Sequence, residues 1–182
     1  MALDPNSSSR ERKTRPDTRV ACVVSRFHDD LTGAMLRSAI AEFTAAGISE
    51  DSIHVSWVPG SFELPLVARR IARTTEAEVL LAIGLILKGQ TRHDEYVAQA
   101  ATQGLITASM QADKPIMFGV LTCDTLEQAR DRALSVNEGG KEDKGREIAR
   151  SAIELLCTLD EIADIKKTES IGFGAAGRGI NS

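Results

Sequence analysis

The feature that most constrains the fold of this chain is an uninterrupted apolar run, Val79–Leu87, which ends abruptly in Lys88-Gly89. A helical pattern begins shortly afterwards at His93. An apolar run of this length predicts a strand that is buried on both faces, and the glycine predicts a tight turn into a helix. Such strands occur in parallel sheets that helices cover on both sides. A glycine turn at the carboxyl end of a parallel strand also suits a bound anion.

The rest of the chain alternates between short apolar runs and amphipathic helical patterns. Three more strands are predicted, at Val20–Ser25, Ile53–Val58 and 116–121. Helical spacing predicts five helices, at 31–43, 64–72, 93–110, 126–134 and 146–159. Because strand and helix alternate, the crossovers are right-handed and the strands parallel. We therefore predict a flavodoxin-like three-layer α/β/α sandwich with a central four-stranded parallel sheet.

The two ends of the chain lack this alternation. Residues 1–17 are polar and contain three consecutive serines and a basic cluster, which predicts a disordered or tag-like tail. Residues 168–182 are rich in glycine, which predicts a flexible C-terminal tail. The folded domain is accordingly expected at residues 18–167.

Charge and cysteine content exclude several classes of function. A net charge of −4 argues against a general nucleic-acid binder, and no apolar run approaches the length of a membrane span. Cys22, Cys123 and Cys157 are far apart and show no metal-ligand spacing, so we expect reduced thiols in a cytoplasmic protein. Cys22 and Cys157 lie in apolar patterns, which predicts core positions for both.

Residue types that can carry chemistry follow the predicted strands. Phe27 follows the first strand, the segment 61–63 follows the second, and His93 follows the third. The carboxyl ends of parallel strands meet at one edge of a sheet, so these residues are expected to form a ligand site. For the phenylalanines at 27 and 62 a core position stays open, and for His93 a position facing solvent. Phe118 lies inside a strand, and its pattern favours the core.

Familiar sequence motifs narrow the chemistry further. No GxGxxG motif follows a predicted strand, and the chain contains no GxxxxGK[ST] motif, which argues against a dinucleotide or P-loop site. It has no GxSxG motif, and Ser61 has no signature of a base beside it. Arg132 and Lys144 lie near the last two predicted helices, where they either reach an anion or form a solvated face.

Several segments, taken together, resemble the 6,7-dimethyl-8-ribityllumazine synthase family, which catalyses the penultimate step of riboflavin biosynthesis. These segments are 59–65, 84–93 and 118–129, and Arg26-Phe27 matches as well. The resemblance extends over residues 20–159, which is nearly all of the predicted domain. Several motifs in the same order are far more specific than any single one.

The resemblance implies a reaction and an assembly. The reaction is the transferase condensation of 5-amino-6-(D-ribitylamino)uracil with 3,4-dihydroxy-2-butanone 4-phosphate, which releases phosphate and water and requires no metal or redox cofactor. The assembly is a homopentamer whose active sites lie between neighbouring subunits. Riboflavin synthase is the candidate macromolecular partner that the resemblance suggests.

The matching positions also imply individual roles. Phe27 corresponds to the aromatic residue that stacks on the pyrimidine, His93 to the general acid/base, and Phe118 to an aromatic from the neighbouring subunit. The other implied substrate contacts are to the ribityl chain for Ser61, Phe62 and Glu63, to the heterocycle for Ile86 and Leu87, and to phosphate for Gly89, Gln90, Thr91 and Arg132. Lys144 is a further substrate-binding candidate, and the role carried onto it depends on how the longer segment 134–145 aligns with the family.

The chain also departs from the family pattern, and this keeps two alternatives in view. Gln90 and Asp94 are unusual residues for the family, and the segment 134–145 is longer than the short turn of many members. A non-catalytic flavin- or lumazine-binding protein on the same scaffold is one alternative, but the presence of both His93 and Arg132 favours the enzyme. A structural shell protein is the other, and the long charged loop predicts a pentamer without a shell.

Overall fold

The computed structural model describes residues 14, 15 and 17–175, and it describes side chains as far as residue 165. Within these residues, four strands alternate with five α-helices and two short 3₁₀ turns. The strands are β1 Val20–Ser25, β2 Ile53–Val58, β3 Val79–Leu87 and β4 Ile116–Cys123. The helices are α1 Asp29–Ala45, α2 Leu64–Thr74, α3 His93–Ala112, α4 Leu126–Ala133 and α5 Lys144–Ala175. The 3₁₀ turns are Glu50–Ser52 and Val136–Glu138.

The sheet is parallel throughout, with the strand order β2-β1-β3-β4. One face packs against α1, α4 and α5, and the other packs against α2 and α3. The predicted three-layer α/β/α sandwich of flavodoxin-like type is therefore confirmed. The chain moves outward from β1 in both directions, which makes the boundary between β1 and β3 the topological switch point of the sheet.

The central position of β3 in the sheet explains why its sequence is apolar throughout. Leu81, Ile83 and Leu85 contribute to the core on the α1 side, whereas Leu80 and Ala82 contribute to the core on the α2 side. Both faces of β3 are thus removed from water, and each large side chain that is fully buried stabilises the fold by about 1.5–3 kcal/mol. The prediction of a strand buried on both faces is confirmed.

β3 extends beyond its neighbour β1 at the carboxyl end. The pairing of β1 with β3 ends at Val24 and Ile83, whereas the pairing of β3 with β4 continues to Leu87 and Cys123. The last residues of β3 consequently pair with a strand on one side only. Their other backbone edge is left facing the loop that follows β1.

Three predictions from the sequence differ from the structure. Phe118 is 47% exposed on the edge strand β4, so the core position that its pattern favoured is wrong. Cys22 is buried as expected, but Cys157 is only partly buried. Helix α5 begins at Lys144 and ends at Ala175, beyond the predicted end at residue 159. Each added helical residue forms one more backbone hydrogen bond, and 160–170 contains no glycine or proline that would end the helix.

The ends of the chain are described only in part. Residues 1–13, 16 and 176–182 lie outside the described residues, so the predicted disorder and flexibility of the tails stay predictions. Contacts with the domain reach back to Thr14, whose hydroxyl donates to the carbonyl of Ala46 (3.0 Å), and to Arg15, which pairs with Glu78. None of the helices in the described part has both the length and the apolar content needed to cross a membrane.

Candidate active site

A cavity of about 730 Å³ lies at the carboxyl ends of β1, β2 and β3, at the topological switch point. Its walls are mainly aromatic and aliphatic, with a few polar groups among them, as is typical of sites for small molecules. The lining residues are Phe27, Pro59, Gly60, Ser61, Phe62, Glu63, Leu85, Ile86, Leu87, Gly89, Thr91, His93, Asp94, Tyr96 and Val97. Most of the site residues predicted from the sequence are therefore brought together here.

The loop after β1 presents an aromatic face to this cavity. The backbone N–H of Arg26 donates to the carbonyl of Val58 (2.8 Å), and that of Phe27 donates to the carbonyl of Pro59 (3.2 Å). His28 adopts a left-handed conformation (φ 61°) that turns the chain into α1, and its ring meets the Phe27 ring edge-on at 4.8 Å. The Phe27 side chain is held by its backbone yet is 64% exposed, so it can stack on a planar ligand.

The loop after β2 supplies an aromatic ring and a carboxylate. Phe62 is 61% exposed at the rim of the cavity. The backbone N–H of Gly60 donates to Oε2 of Glu63 (2.9 Å), which fixes this carboxylate at the start of α2. A carboxylate has two oxygens and about four acceptor sites, so Glu63 retains the capacity to accept further hydrogen bonds from a ligand.

Ser61 is the most unusual polar group in the cavity. It is 4% exposed, and its Oγ has no hydrogen-bond partner within the described part of the chain. A Cβ atom at position 84 would lie 2.5 Å from that Oγ, so only glycine on β3 leaves room for the hydroxyl. Buried hydroxyls are nearly always paired in folded proteins. An unpaired hydroxyl in a cavity wall is therefore a candidate for hydrogen bonding to a ligand.

The carboxyl end of β3 and the following turn form the opposite wall. The residues of β3 that extend past β1, among them Ile86 and Leu87, line the cavity beside their open backbone edge. In the turn, the N–H of Gly89 donates to Oδ1 of Asp94 (3.3 Å). One donor of the predicted anion turn is thus already engaged by a carboxylate of the chain itself. Gln90, which the resemblance placed in this turn, is exposed and is not among the lining residues.

The first turns of α3 contribute His93 and two residues that the sequence analysis missed. His93 is exposed and lines the cavity, and its backbone N–H lies 3.4 Å from Oγ1 of Thr91. Tyr96 and Val97 line the same wall because they stand three and four positions after His93 on one face of the helix. The helical period was the signal that could have identified them.

Besides Gln90, three predicted site residues lie outside this cavity. Phe118 and Lys144 line a separate hollow of about 200 Å³ between β4 and the start of α5. Arg132 on α4 donates from Nη1 to the carbonyl of Gln128 (3.0 Å), and its Nε lies 3.9 Å from Oε1 of Glu142. Within a single chain, the predicted site therefore consists of two separate parts. One is the aromatic cavity, and the other is a group of residues that contains the predicted cations Arg132 and Lys144.

Hydrogen bonds, nearby charges and burial determine the protonation state of Lys144 and of the neighbouring thiol of Cys123. Hydrogen bonding to Glu147, and more weakly to Glu142, raises the pKa of the Lys144 ammonium despite its partial burial. Lys144 is therefore cationic at neutral pH. Burial raises the pKa of the Cys123 thiol, although the Arg132 guanidinium acts in the opposite direction. Cys123 is consequently a neutral thiol rather than a nucleophile.

The arrangement suits the binding of a planar heterocycle with a polar side chain. Aromatic faces lie beside a buried hydroxyl, a fixed carboxylate and an open strand edge, and the imidazole of His93, a side chain able to donate and accept protons, also lines the cavity. Among the described residues, no group of three or more His, Cys, Asp or Glu side chains is placed to hold a metal ion.

Comparison with known proteins gives a consistent result. The family model for 6,7-dimethyl-8-ribityllumazine synthase matches residues 17–160. The chain is 42% identical over 151 residues to 6,7-dimethyl-8-ribityllumazine synthase from Thermus thermophilus, and the match covers 82% of this chain and 93% of that protein. Proteins with the same name from Yersinia pestis (strain Pestoides F) and Protochlamydia amoebophila are 40% and 37% identical, over 81% and 80% of this chain and 92% and 82% of the relatives.

Proposed function

The chain belongs to the 6,7-dimethyl-8-ribityllumazine synthase family and acts in riboflavin biosynthesis, and we propose that its active site is built around the cavity between β1 and β3. The reaction is the condensation of 5-amino-6-(D-ribitylamino)uracil with 3,4-dihydroxy-2-butanone 4-phosphate, a transferase reaction that releases phosphate and water. The observation that carries this proposal is the convergence of Phe27, Ser61, Phe62, Glu63 and His93 on one cavity.

The roles proposed for the binding residues follow from the chemistry of the pyrimidine substrate. The exposed ring of Phe27 stacks on the flat heterocycle, and the open backbone edge at Ile86 and Leu87 hydrogen-bonds its polar rim. The ribityl hydroxyls bind to the unpaired Oγ of Ser61 and to the carboxylate of Glu63. Holding one reactant in this way increases its effective concentration at the second reactant.

The main catalytic help that the chemical steps require is proton transfer. The 5-amino group attacks the carbonyl of the butanone phosphate, and loss of water gives an imine. Loss of the proton on the adjacent carbon then eliminates phosphate, and the resulting enol becomes a ketone. The ribitylamino nitrogen attacks this new carbonyl, and its oxygen leaves as water when the second ring closes. Protons leave nitrogen and carbon and reach departing oxygens in these steps, and His93 is the residue that we assign to this transfer.

We further propose that the complete site forms between two subunits of a homopentamer. Phe118, Arg132 and Lys144 lie apart from the cavity of their own chain, so we assign them to the cavity of a neighbour. There, the two cations and the turn at Gly89–Thr91, with Gln90 at its tip, would bind the phosphate group. Riboflavin synthase is the macromolecular partner that fits this function, and the cytoplasmic location indicated by the three free thiols is part of the same proposal.

The decisive experiment mixes the purified protein with both substrates. We expect fluorescent lumazine and inorganic phosphate to appear in equal amounts. When one substrate is omitted, neither product should appear faster than it does without the protein. Tight flavin binding without formation of lumazine would instead support a carrier on the same scaffold and would contradict the proposed catalysis.

A further inference from the structure

An internal carboxylate lies between the two cations assigned to the phosphate. Glu142 in the loop before α5 places Oε1 3.9 Å from Nε of Arg132 and Oε2 3.2 Å from Nζ of Lys144. One acidic side chain therefore bridges a residue of α4 and the first residue of α5. A carboxylate and a phosphate monoester recognise cations by the same charge-assisted hydrogen bonds.

The other two acidic residues of this loop have different partners. Glu138 closes the capping box of the 3₁₀ turn with Ser135 and pairs with Arg37 at 3.0 Å. Asp143 accepts from the backbone N–H of Arg146 (3.2 Å) and so caps the first turn of α5. Within the described residues, the ion pairs of the Glu142 side chain are with the two cations, and it accepts no backbone hydrogen bond that would shape the loop.

The loop also holds Glu142 in place without using its side chain. The N–H groups of Lys141 and Glu142 both donate to the carbonyl of Asp131, at 2.7 and 3.0 Å, and Nζ of Lys141 pairs with Oδ2 of Asp131 at 2.6 Å. These contacts attach the loop to α4, next to Arg132. A change confined to the carboxylate of Glu142 should therefore leave the path of the backbone intact.

We propose that Glu142 is a specificity-determining residue that competes with phosphate for Arg132 and Lys144. This inference rests on the proposed function, because that function assigns the two cations to the phosphorylated substrate. The carboxylate keeps the cations together, and an arriving phosphate must displace it. Since inorganic phosphate is also a product, the same competition weakens product retention.

The competition is expected to be moderate in size. Both ion pairs of Glu142 are partly exposed, with the three side chains 33–41% accessible, so solvent screens them. Removing the negative charge should therefore tighten phosphate binding by about three- to tenfold, which is the effect of losing one or two exposed pairs. The pyrimidine substrate, which carries no phosphate, should bind as before.

The test is a titration of the full-length assembled protein with inorganic phosphate, followed by phosphorus NMR, for wild type, Glu142→Gln and Glu138→Gln. We expect the Kd for phosphate to fall about three- to tenfold in Glu142→Gln and to stay unchanged in Glu138→Gln, which removes the same charge from the same loop. Equal affinity in wild type and Glu142→Gln, or equal tightening in both variants, would overturn the inference. Glu142→Ala serves in place of the glutamine variant if the latter does not assemble.

A double variant and the lumazine assay together distinguish failure of this inference from failure of the proposed function. Combined with Arg132→Gln, the Glu142→Gln change should tighten phosphate binding less than it does alone, because one of the two contested cations is gone. An undiminished effect would contradict the proposal. If wild type forms no lumazine but Glu142→Gln still tightens phosphate, the proposed function fails and the competition stands. Lumazine formation with unaltered phosphate affinity would instead support the proposed function and overturn the competition.

Discussion

At the scale of single residues, the cavity combines groups that the fold holds rigidly with groups that it leaves accessible. Ser61 is packed so tightly against β3 that position 84 must be glycine, whereas Phe27 and His93 face the open space. A buried group shapes the site before any ligand arrives, and an exposed group can act only once the ligand is bound. Substitutions of these two kinds should therefore have different consequences for stability and for catalysis.

Ser61→Ala should reduce substrate binding without reducing stability. The hydroxyl has no partner in the described chain, so its removal should change the free energy of unfolding by less than about 0.5 kcal/mol. If it binds the ribityl chain, the KM for ribitylaminouracil should rise about three- to tenfold, which is the cost of one neutral hydrogen bond. Steady-state kinetics and urea unfolding measure the two effects.

Ser109→Ala is the matched control for this change. Its hydroxyl donates to the carbonyl of Lys114 (2.7 Å) at the end of α3, remote from the cavity. Here we expect a loss of about 1 kcal/mol of stability and an unchanged KM. If the two variants behaved alike, Ser61 would have only a packing role.

His93→Ala should slow turnover while leaving the fold and substrate binding largely intact. The side chain is exposed and its loss disturbs no core contact. General acid/base catalysis contributes only part of the rate, and positioning by the other residues survives, so we expect a decrease in kcat of about ten- to a hundredfold. The measurement is the rate at saturating concentrations of both substrates, and an unchanged kcat would remove His93 from the mechanism.

At the scale of elements, one wall of the cavity depends on how α2 and α3 pack. α3 carries His93, Tyr96 and Val97, and it meets α2 at the point where Gly104 faces Pro65. A Cβ atom at position 104 would lie 2.7 Å from both Cβ and Cγ of Pro65. A proline ring has little freedom to move aside, so glycine at this position sets the distance between the two helices.

Gly104→Ala should therefore destabilise the protein although it introduces a better helix former. We expect a loss of about 1–3 kcal/mol from the forced separation of α2 and α3, with a higher KM because the α3 wall shifts. Gly33→Ala in α1 is the control, because its Cβ would meet only Arg37 and Trp57 at 3.7 Å or more. That variant should gain about 0.5–1 kcal/mol. Denaturant unfolding at one protein concentration compares them, and equal behaviour would refute the packing argument.

At the scale of the whole molecule, the loop before α5 is a well-built projection rather than a loose insertion. It contains a capped 3₁₀ turn, and salt bridges tie it to α1 through Arg37 and to α4 through Asp131. Val136 in this loop is largely exposed, and the loop carries several charged side chains. A projection of this kind resists the close contact between rings that a larger shell requires, because its charges would lose solvent without gaining partners.

We accordingly expect light scattering to give the mass of five 19.6-kDa chains. A mass near sixty chains would contradict the argument from the loop, and a mass near ten would mean that two rings stack despite it. As a control, a variant in which a short glycine turn replaces residues 135–141 should remain at least pentameric, since the loop is not part of the sheet or of either core cluster.

The sequence by itself determined the layered parallel fold and the edge of the sheet at which the site lies. The unbroken apolar character of β3 required cover on both faces, and parallel strands bring Phe27, Glu63 and His93 to one edge whatever the details of packing. These conclusions rest on the spacing of apolar residues and on the order of strands and helices. Both stay the same when the predicted bounds of one element are slightly wrong.

Only the tertiary structure decided which side chains meet. The unpaired hydroxyl of Ser61, the hydrogen bond from Gly89 to Asp94, and the bridge of Glu142 between Arg132 and Lys144 each join groups whose pairing no periodic pattern specifies. The exposure of Phe118 follows in the same way from the position of β4 at the sheet edge. Each such contact contributes about 1 kcal/mol or less, so it follows from the packed backbone and cannot be deduced before the backbone is known.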